Sequence, residues 1–281
     1  MLKSIKEGVS VKEGSTNVGI IEIDGTLYVI DTGSNTKFAR ELFSELGEEK
    51  KIVLNTHSHA DHIQGNSFFE KNGAKIFSDK LEVAFIRDPI LESFYLYGAT
   101  PPKSLRASFY KAHSSHPLPL EEADLPKYIE PIPLIGHSLG MTGFKIDDVL
   151  FCGDAYFGRE VLEKYSYPYL VDVGKFLNSL DFLEKTNADV YVPSHGNITN
   201  DPHEDIEKTR STLHSFINAT LDVLEDTKSV EEISFNIVEM MSISLNSGTF
   251  YLFRSFVSAI LSHLEKQKMV SQVLPGRWKK I

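Results

Sequence analysis

The sequence contains a single cysteine in 281 residues, which excludes an internal disulfide framework. It also lacks the run of about 18 apolar residues that a membrane-spanning helix needs. The first ten residues, MLKSIKEGVS, contain no apolar segment of the kind that a signal peptide requires. These three absences predict a cytoplasmic protein that does not associate with a membrane.

Positive charge is also in short supply. The 29 Lys and Arg residues are outnumbered by 39 Asp and Glu, and the net charge is −10. An acidic chain is a poor partner for nucleic acid, although a local basic patch can override the average. The hydrophobic and charged contents, 41% and 24%, are typical of a soluble enzyme, so a small-molecule substrate is expected.

The first 200 residues alternate between strand and helix patterns. VGIIEIDGTLYVIDTG contains two apolar-alternating runs around Asp24-Gly25, which predicts a hairpin. A helix from Asn35 or Thr36 to Gly47 and the strand KKIVLNTH follow, and FKIDDVLFCGD and DVYVPSHG continue the rhythm. The pattern predicts an α/β fold, in which sites are usually built at the carboxyl ends of strands.

Two regions depart from this alternation. Residues 80–133 begin with a helical pattern and become rich in proline, which predicts an insertion that covers the site as a loop or lid. Residues 201–281 contain three helical stretches and a hairpin around Pro275-Gly276. We therefore expect a catalytic domain over 1–200 and a helical module over 201–281, and association of copies through the insertion or the module stays open.

Potential metal ligands are concentrated in NTHSHADHIQG, residues 55–65. In an extended segment, side chains two residues apart point the same way, so His57 and His59 can reach one ion. If a helix follows, Asp61 and His62 can face a second ion about 3.5–4 Å away. Imidazole and carboxylate ligands suit zinc, iron or manganese, and the absence of thiolates argues against a structural zinc site.

Four ligands do not complete two metal sites. Three further candidates follow apolar runs and stand next to a glycine: His137, Asp154 and His195. The two oxygens of a carboxylate such as Asp154 can bridge two ions.

The motifs THSHADH, GHSLGMTG, FCGD and PSHG together resemble the metallo-β-lactamase superfamily, in its glyoxalase II-like branch, over roughly residues 10–200. The resemblance implies an αββα sandwich with the metals at one edge. It also implies a ligand set, in which Asp154 bridges one ion held by His57, His59 and His137 and another held by Asp61, His62 and His195.

Two further segments match this family. Asp31, in the DTG of residues 31–33, occupies a common family element in which the Asp lies near the site without being a ligand. LSHLEKQKMV and the hairpin after it resemble the winged-helix module that is appended to some β-lactamase-like hydrolases.

We therefore expect a hydrolase with two divalent metal ions, with zinc favoured and iron or manganese as alternatives. A metal-bridging hydroxide, oriented by Asp61, would attack a small acyl ester, thioester or lactone.

Two other functions stay open. The winged-helix-like tail favours an endoribonuclease or phosphodiesterase, which the acidic charge opposes. An iron-dependent oxidoreductase of the persulfide dioxygenase or flavodiiron type shares the fold. His59 stands where the flavodiiron pattern usually has Glu, and no flavodoxin-like domain follows.

The remaining candidates are aromatic or basic. Phe94, Tyr95, Tyr97, Phe109 and Tyr110 can line a pocket or pack the insertion on the body. The third tail helix is more apolar than one buried face requires, and its surplus at Phe250–Phe253 is expected to pack on the body or on a second chain. Lys279 and Lys280 are expected to form a solvated end rather than a nucleic-acid contact.

Overall fold

The structure is a computed structural model that describes residues 1–103 and 112–281. Phe109 and Tyr110, for which pocket lining and packing of the insertion on the body were both open, lie outside the described part. The strands are β1 (Lys3–Lys6), β2 (Val9–Lys12), β3 (Val18–Ile23), β4 (Thr26–Ile30), β5 (Lys50–Leu54), β6 (Lys75–Ser78), β7 (Leu118–Pro119), β8 (Ile129–Pro133), β9 (Thr142–Ile146), β10 (Val149–Gly153), β11 (Val190–Pro193), β12 (Lys228–Ser229), β13 (Val270–Leu274) and β14 (Arg277–Lys280). The helices are α1 (Thr36–Glu45), α2 (Ala60–Ile63), α3 (Asn66–Lys71), α4 (Lys80–Arg87), α5 (Ile90–Tyr97), α6 (Arg159–Tyr165), α7 (Val173–Lys185), α8 (His203–Asp222), α9 (Val230–Met240) and α10 (Ser247–Lys266).

The first sheet runs in chain order from β1 to β7. Its strands β1 to β4 pair antiparallel, and β4 to β7 pair parallel. The predicted hairpin joins β3 and β4, where Asp24 and Gly25 have φ of 49° and 68°. Two successive left-handed residues match the right-handed twist of the flanking strands, so Asp-Gly suits this turn. The predicted helix α1 is capped by Asn35, whose side chain accepts from the Phe38 amide.

The second sheet has the order β11-β10-β9-β8, and it packs face to face on the first. Alternation along each strand decides which residues meet between the sheets. In β10, Val149 and Phe151 pack against the first sheet, whereas Leu150 and Cys152 point to the other side. Gly19 in β3 lies so close to Phe151 that an added Cβ would approach its ring to 2.3 Å.

Helices cover both outer faces of this pair of sheets. On the first sheet, Val18, Ile20 and Val29 pack with residues of α1 and α3. On the second sheet, Leu150 and Cys152 pack with α7 and with the helices of the C-terminal region. The layers are thus helix, sheet, sheet, helix, and the predicted αββα sandwich is confirmed.

The prediction that the proline-rich part of the insertion is all loop or lid is wrong in two places. Leu118–Pro119 forms β7 at the edge of the first sheet, and Ile129–Pro133 forms β8 at the edge of the second. Proline lacks an N–H donor, but an edge strand needs donors only on its inner side. The prolines therefore restrict β8 to an edge and do not prevent a strand.

The C-terminal helices α8, α9 and α10 come before a small sheet of order β12-β14-β13. The hairpin was predicted, and the short strand β12 was not. Phe216 and Phe256 of these helices belong to the same hydrophobic cluster as Leu150 of β10 and Phe176 of α7. The surplus apolar residues of α10 pack within the chain, because Leu252 contacts Leu96 of α5.

A membrane span is not found among the described helices, since none combines sufficient length with sufficient apolar character.

The continuity of this core predicts one unfolding transition for the whole chain. Phe256 is fully buried, with ring centroids of Tyr167 and Phe216 at 5.2 and 5.3 Å. Phe256→Ala should lower the free energy of unfolding by about 3–5 kcal/mol, as measured by urea denaturation. Phe182→Ala, at a site with 43% exposure, should cost about 1 kcal/mol or less. Two separate transitions, with only one sensitive to Phe256→Ala, would contradict this.

Candidate metal centre

The predicted ligand residues meet at one edge of the sandwich. His57 comes from the loop after β5, Asp154 follows β10, and His195 follows β11. The loop that carries His137 joins β8 to β9, and β9 is antiparallel to β10, so this loop lies at the same edge. The edge is the one at which the parallel strands end, as predicted.

The first group of ligand atoms belongs to three histidines. His59 Nδ1 lies 3.0 Å from His57 Nε2 and 2.9 Å from His137 Nε2. His57 and His59 point the same way because the segment is extended up to His59, where φ is −62° and ψ is 144°. These three nitrogens lie close enough to one another to hold one metal ion.

The second group begins in the short helix α2. Asp61 and His62 are consecutive in it, and with His195 they offer ligand atoms that also lie close enough for one ion. His195 Nε2 is 3.2 Å from Asp61 Oδ2. The helix expected after His59 is present, and His62 also lies close enough to His57 and Asp154 to share an ion with them.

Asp154 lies between the two groups. One of its oxygens, Oδ1, is 3.4 Å from His62 Nε2, and the other, Oδ2, is 3.4 Å from His137 Nε2 and 3.5 Å from His195 Nε2. The side chain is almost fully buried. Its two oxygens therefore face ligand atoms of both groups.

The ring nitrogens that do not face the cluster are held by the protein. His137 Nδ1 lies 2.8 Å from the Tyr169 carbonyl oxygen, and His195 Nδ1 lies 2.7 Å from that of Ser15. A carbonyl accepts only from an N–H, so each Nδ1 carries a proton and each Nε2 is the ring nitrogen that faces the cluster. Outer partners of this kind orient metal-ligating histidines.

The inner atoms fit a cation. His62 Nε2 and Asp154 Oδ1 are buried and have no hydrogen-bond partner. Unpaired buried polar atoms are costly, and a metal ion between them would satisfy both. The donor set of imidazoles and carboxylates suits zinc, iron or manganese.

Charge at this edge is divided between the two groups. Burial lowers the pKa of His59 to about 4 and that of His137 to about 3, and together with neighbouring histidines it holds the pKa of His57 well below 6.5. Burial also opposes the charged form of His62, but Asp154, Asp31 and Asp61 outweigh it and raise its pKa well above 6.5.

His195 behaves like His62. Burial opposes its charged form, but Asp154 and Asp61 raise its pKa. In turn the pKa values of Asp61 and Asp154 lie below the ordinary value despite burial, because His62 and His195 stabilise the carboxylates. The group with two carboxylates within reach thus attracts protons, and the all-histidine group does not.

Asp31 supports this centre from behind, as the resemblance implied. It accepts hydrogen bonds from the Thr56 amide at 2.8 Å and the Thr56 hydroxyl at 2.7 Å, and from His62 Nδ1 at 2.8 Å. The backbone of Asp31 is left-handed, with φ of 63°, a conformation that Asp and Asn tolerate better than most residues. Asp31 thereby fixes the ring of His62 and the strand end that carries His57.

Glu82 was not foreseen. This residue of α4 is 2% exposed, and its carboxylate accepts from the Ser58 amide and hydroxyl, the Ser138 hydroxyl and the Gly140 amide. It therefore ties the loop of His57 and His59 to the loop of His137. The sequence signal that could have identified Glu82 is its position one helical turn before Ile86, which places it on the buried face of α4.

A recess of about 30 Å³ adjoins His59. Of the predicted aromatics, Tyr95 lines it, Phe94 is exposed, and Tyr97 packs on Tyr251 of α10. Glu92 of α5 also lines the recess, and burial together with Glu82 raises its pKa to about 7.

Two further side chains with potential ligand atoms do not belong to these groups. Cys152 is a buried member of the core, where burial raises the pKa of its thiol. His116 is exposed and contacts Glu70.

The Asp31 network predicts a loss of metal affinity in Asp31→Asn. The amide is isosteric and tolerates the left-handed backbone, but one of its two ends donates and cannot accept from Thr56 or His62. We expect zinc affinity to fall by about 10–100-fold in competition with a chromophoric chelator. Asp24→Asn makes the same change at an exposed left-handed turn and should leave affinity unchanged. An unaltered affinity in Asp31→Asn would refute the role of Asp31.

The sequence of the chain is similar to those of known metallo-hydrolases. The family model of the metallo-beta-lactamase superfamily matches residues 11–195, which is more than half of the chain. A probable metallo-hydrolase from Bacillus subtilis is 29% identical over 179 residues, covering 60% of this chain and 76% of that protein. A hydroxyacylglutathione hydrolase from Shewanella denitrificans is 34% identical over 109 residues, which are 37% of this chain and 33% of that enzyme.

Solved structures show the same fold over the full length. A metallo-beta-lactamase family protein from Thermus thermophilus has a TM-score of 0.75 at 22% identity, covering 99% of this chain and all of that chain. A beta-lactamase domain protein from Burkholderia ambifaria has a TM-score of 0.73 at 17% identity, covering 100% and 93%. The fold and the family-model match agree, and the chain belongs to the metallo-beta-lactamase superfamily of metal-dependent hydrolases.

Proposed function

We propose that the chain hydrolyses a small acyl ester, thioester or lactone with the help of two divalent metal ions, for which zinc is favoured and iron or manganese are alternatives. The observation that carries this proposal is the convergence of two groups of ligand atoms on either side of Asp154. A single-ion centre would use only one of these two groups of ligand atoms.

The proposed ligand roles follow from this geometry. His57, His59 and His137 would hold one ion, Asp61, His62 and His195 would hold the other, and Asp154 would be shared between them. When bound, divalent ions at such a centre bring the pKa of a water molecule to near 7 and polarise the carbonyl oxygen of a substrate.

Asp61 is the proposed catalytic residue. Its side chain is 39% exposed, whereas that of Asp154 is 4% exposed, so Asp61 is the carboxylate that incoming substrate and water reach. The contact of Oδ2 with His195 leaves Oδ1 available to accept a hydrogen bond from the attacking water and hold it in line with the carbonyl. The same oxygen can take that proton and pass it to the leaving group.

The substrate class is supported by the glyoxalase II-like motifs and by the local similarity to a hydroxyacylglutathione hydrolase, which spans about one third of that enzyme. The branch assignment is therefore part of the proposal.

The nuclease alternative rests on the basic C-terminal end, and the structure gives it little support. Arg277 donates to the Thr227 carbonyl and pairs with Glu232, and Arg254 of α10 pairs with Glu231. Basic groups that are already paired are poor phosphate ligands. We propose that residues 201–281 form a packing module, and the association of copies through it stays a prediction, as does a cytoplasmic location.

A substrate panel tests the proposed reaction. Zinc-loaded protein should hydrolyse at least one member of a set of thioesters, esters and lactones faster than phosphodiesters or RNA. Faster cleavage of RNA or a phosphodiester would replace the proposal with the nuclease alternative. Iron as the bound metal together with oxygen consumption would replace it with the oxidoreductase.

The pKa pattern predicts that the two ions bind with different pH dependence. Near neutral pH, the raised pKa values of His62 and His195 favour their protonated forms, so binding at their group releases protons. Its affinity should therefore fall as the pH is lowered. His59 and His137, with pKa values of about 4 and about 3, are already neutral there, so their group should bind with little change.

Zinc titration by calorimetry, in buffers of different ionisation enthalpy, measures both the stoichiometry and the protons released. We expect two ions per chain, only one of which is strongly coupled to proton release. A firm stoichiometry of one would contradict the dinuclear proposal.

The role of Asp61 predicts a larger loss of rate than of binding. In Asp61→Ala the attacking water loses its acceptor, which matters mainly in the transition state. With zinc content held equal to wild type, kcat should fall by more than about tenfold while KM changes less. Asp201→Ala removes an exposed carboxylate outside the centre and serves as the control. A kcat within tenfold of wild type would show that the role is wrongly assigned.

A further inference from the structure

The recess beside His59 has an unusual lining. Two carboxylates and three aromatic rings border it: Glu82, Glu92, Phe85, Tyr95 and Tyr169. Among the described residues that line it, there is neither a Lys nor an Arg. An anionic group that entered the recess would meet carboxylates and no compensating charge.

The two carboxylates differ in what they already bind. Glu82 accepts four hydrogen bonds, two at each oxygen, and is committed to holding the loops together. Glu92 makes no hydrogen bond with the described part of the chain, and its nearest ion-pair partner is His59 Nε2 at 3.9 Å. Its side chain is 15% exposed. Glu92 is thus a largely buried acceptor that borders a recess and is free to serve a ligand there.

The recess adjoins the metal centre through His59. His59 turns Nδ1 toward the other ligand nitrogens, whereas its Nε2 lies on the side of Glu92. The His59 ring therefore lies between Glu92 and the nitrogens of His57 and His137. An acyl chain that passes this ring can bring its terminal group to the carboxylate.

A cationic terminal group satisfies these features best. A cation gains a charge-assisted hydrogen bond from a carboxylate and an attraction to aromatic faces. A methyl group would leave Glu92 unpaired, and a carboxylate would be repelled. The small volume favours a compact head such as a primary ammonium over a bulky one.

We infer that this recess recognises a primary ammonium, or another compact cationic group, at the far end of an acyl substrate, and that Glu92 is the specificity-determining residue. The inference rests on the proposed function for the acyl part of the substrate, but recognition of the cation is a binding property that can be measured without turnover.

Hydroxamates that differ in the length and end group of their tail test the inference. A hydroxamate binds zinc whatever reaction the protein catalyses, so it anchors each probe at the metal centre. Three series, with tails of increasing length that end in an ammonium, a methyl or a carboxylate group, are titrated into zinc-loaded protein by calorimetry at pH 8. At the best tail length, the ammonium probe should bind about tenfold or more tightly than the methyl probe, and the carboxylate probe should bind more weakly still.

Glu92→Gln supplies the decisive comparison. The amide keeps the shape and removes the charge, so the preference for ammonium over methyl should shrink to within about threefold, while the methyl probe binds as before. Glu121→Gln makes the same charge change in the insertion at a residue that pairs with Lys80 outside the recess, and it should keep the full preference.

Other outcomes would overturn the inference. Equal binding of ammonium and methyl probes to wild type would do so directly. Weaker binding of all three probes by Glu92→Gln, with loss of zinc, would assign Glu92 to holding His59. The binding test does not depend on the hydrolysis of the substrate panel. If the protein prefers the ammonium probe but hydrolyses no acyl substrate, the proposed reaction is wrong and the inference about the recess stands.

Discussion

Everything at this edge depends on the balance between burial and charge in a cluster of five histidines and two aspartates. Burial disfavours charge on every one of these side chains. Carboxylates reverse the effect at His62 and His195 but not at the other histidines. The histidines of the first group are therefore neutral and can bind a cation directly. The histidines of the second group must release protons when a cation binds.

The two sheets of the sandwich fix the positions of these side chains. Strands β4, β5, β10 and β11 share one core through their inner faces. Their ends carry Asp31, the loop of His57, Asp154 and His195, and so fix these residues in place. Thr142 donates to the Thr56 carbonyl and so links the two sheets directly behind the ligands. Ligands placed on rigid strand ends need little reorganisation when an ion binds.

In our proposals, specificity is supplied by elements outside the sandwich. The described part of the insertion places Glu82 and Glu92 on α4 and α5 beside the ligand loops, and α10 supports α5 from behind through Leu252. The C-terminal helices are thereby connected to the substrate side of the centre, although they contribute no ligand. In our proposals, the sandwich determines the chemistry and the added elements determine the substrate.

The sequence by itself determined which His and Asp residues follow the strand ends, because strand periodicity depends on local spacing, whereas the division of these residues between two ions came from the family resemblance and stays a proposal. It also determined the hairpin at Asp24-Gly25 and the capped helix α1. Only the tertiary structure decided that Glu82 binds two loops, that Glu92 faces a recess, and that β8 is an edge strand despite its prolines. These features depend on which segments meet across the fold, and such contacts leave no periodic signal along the chain.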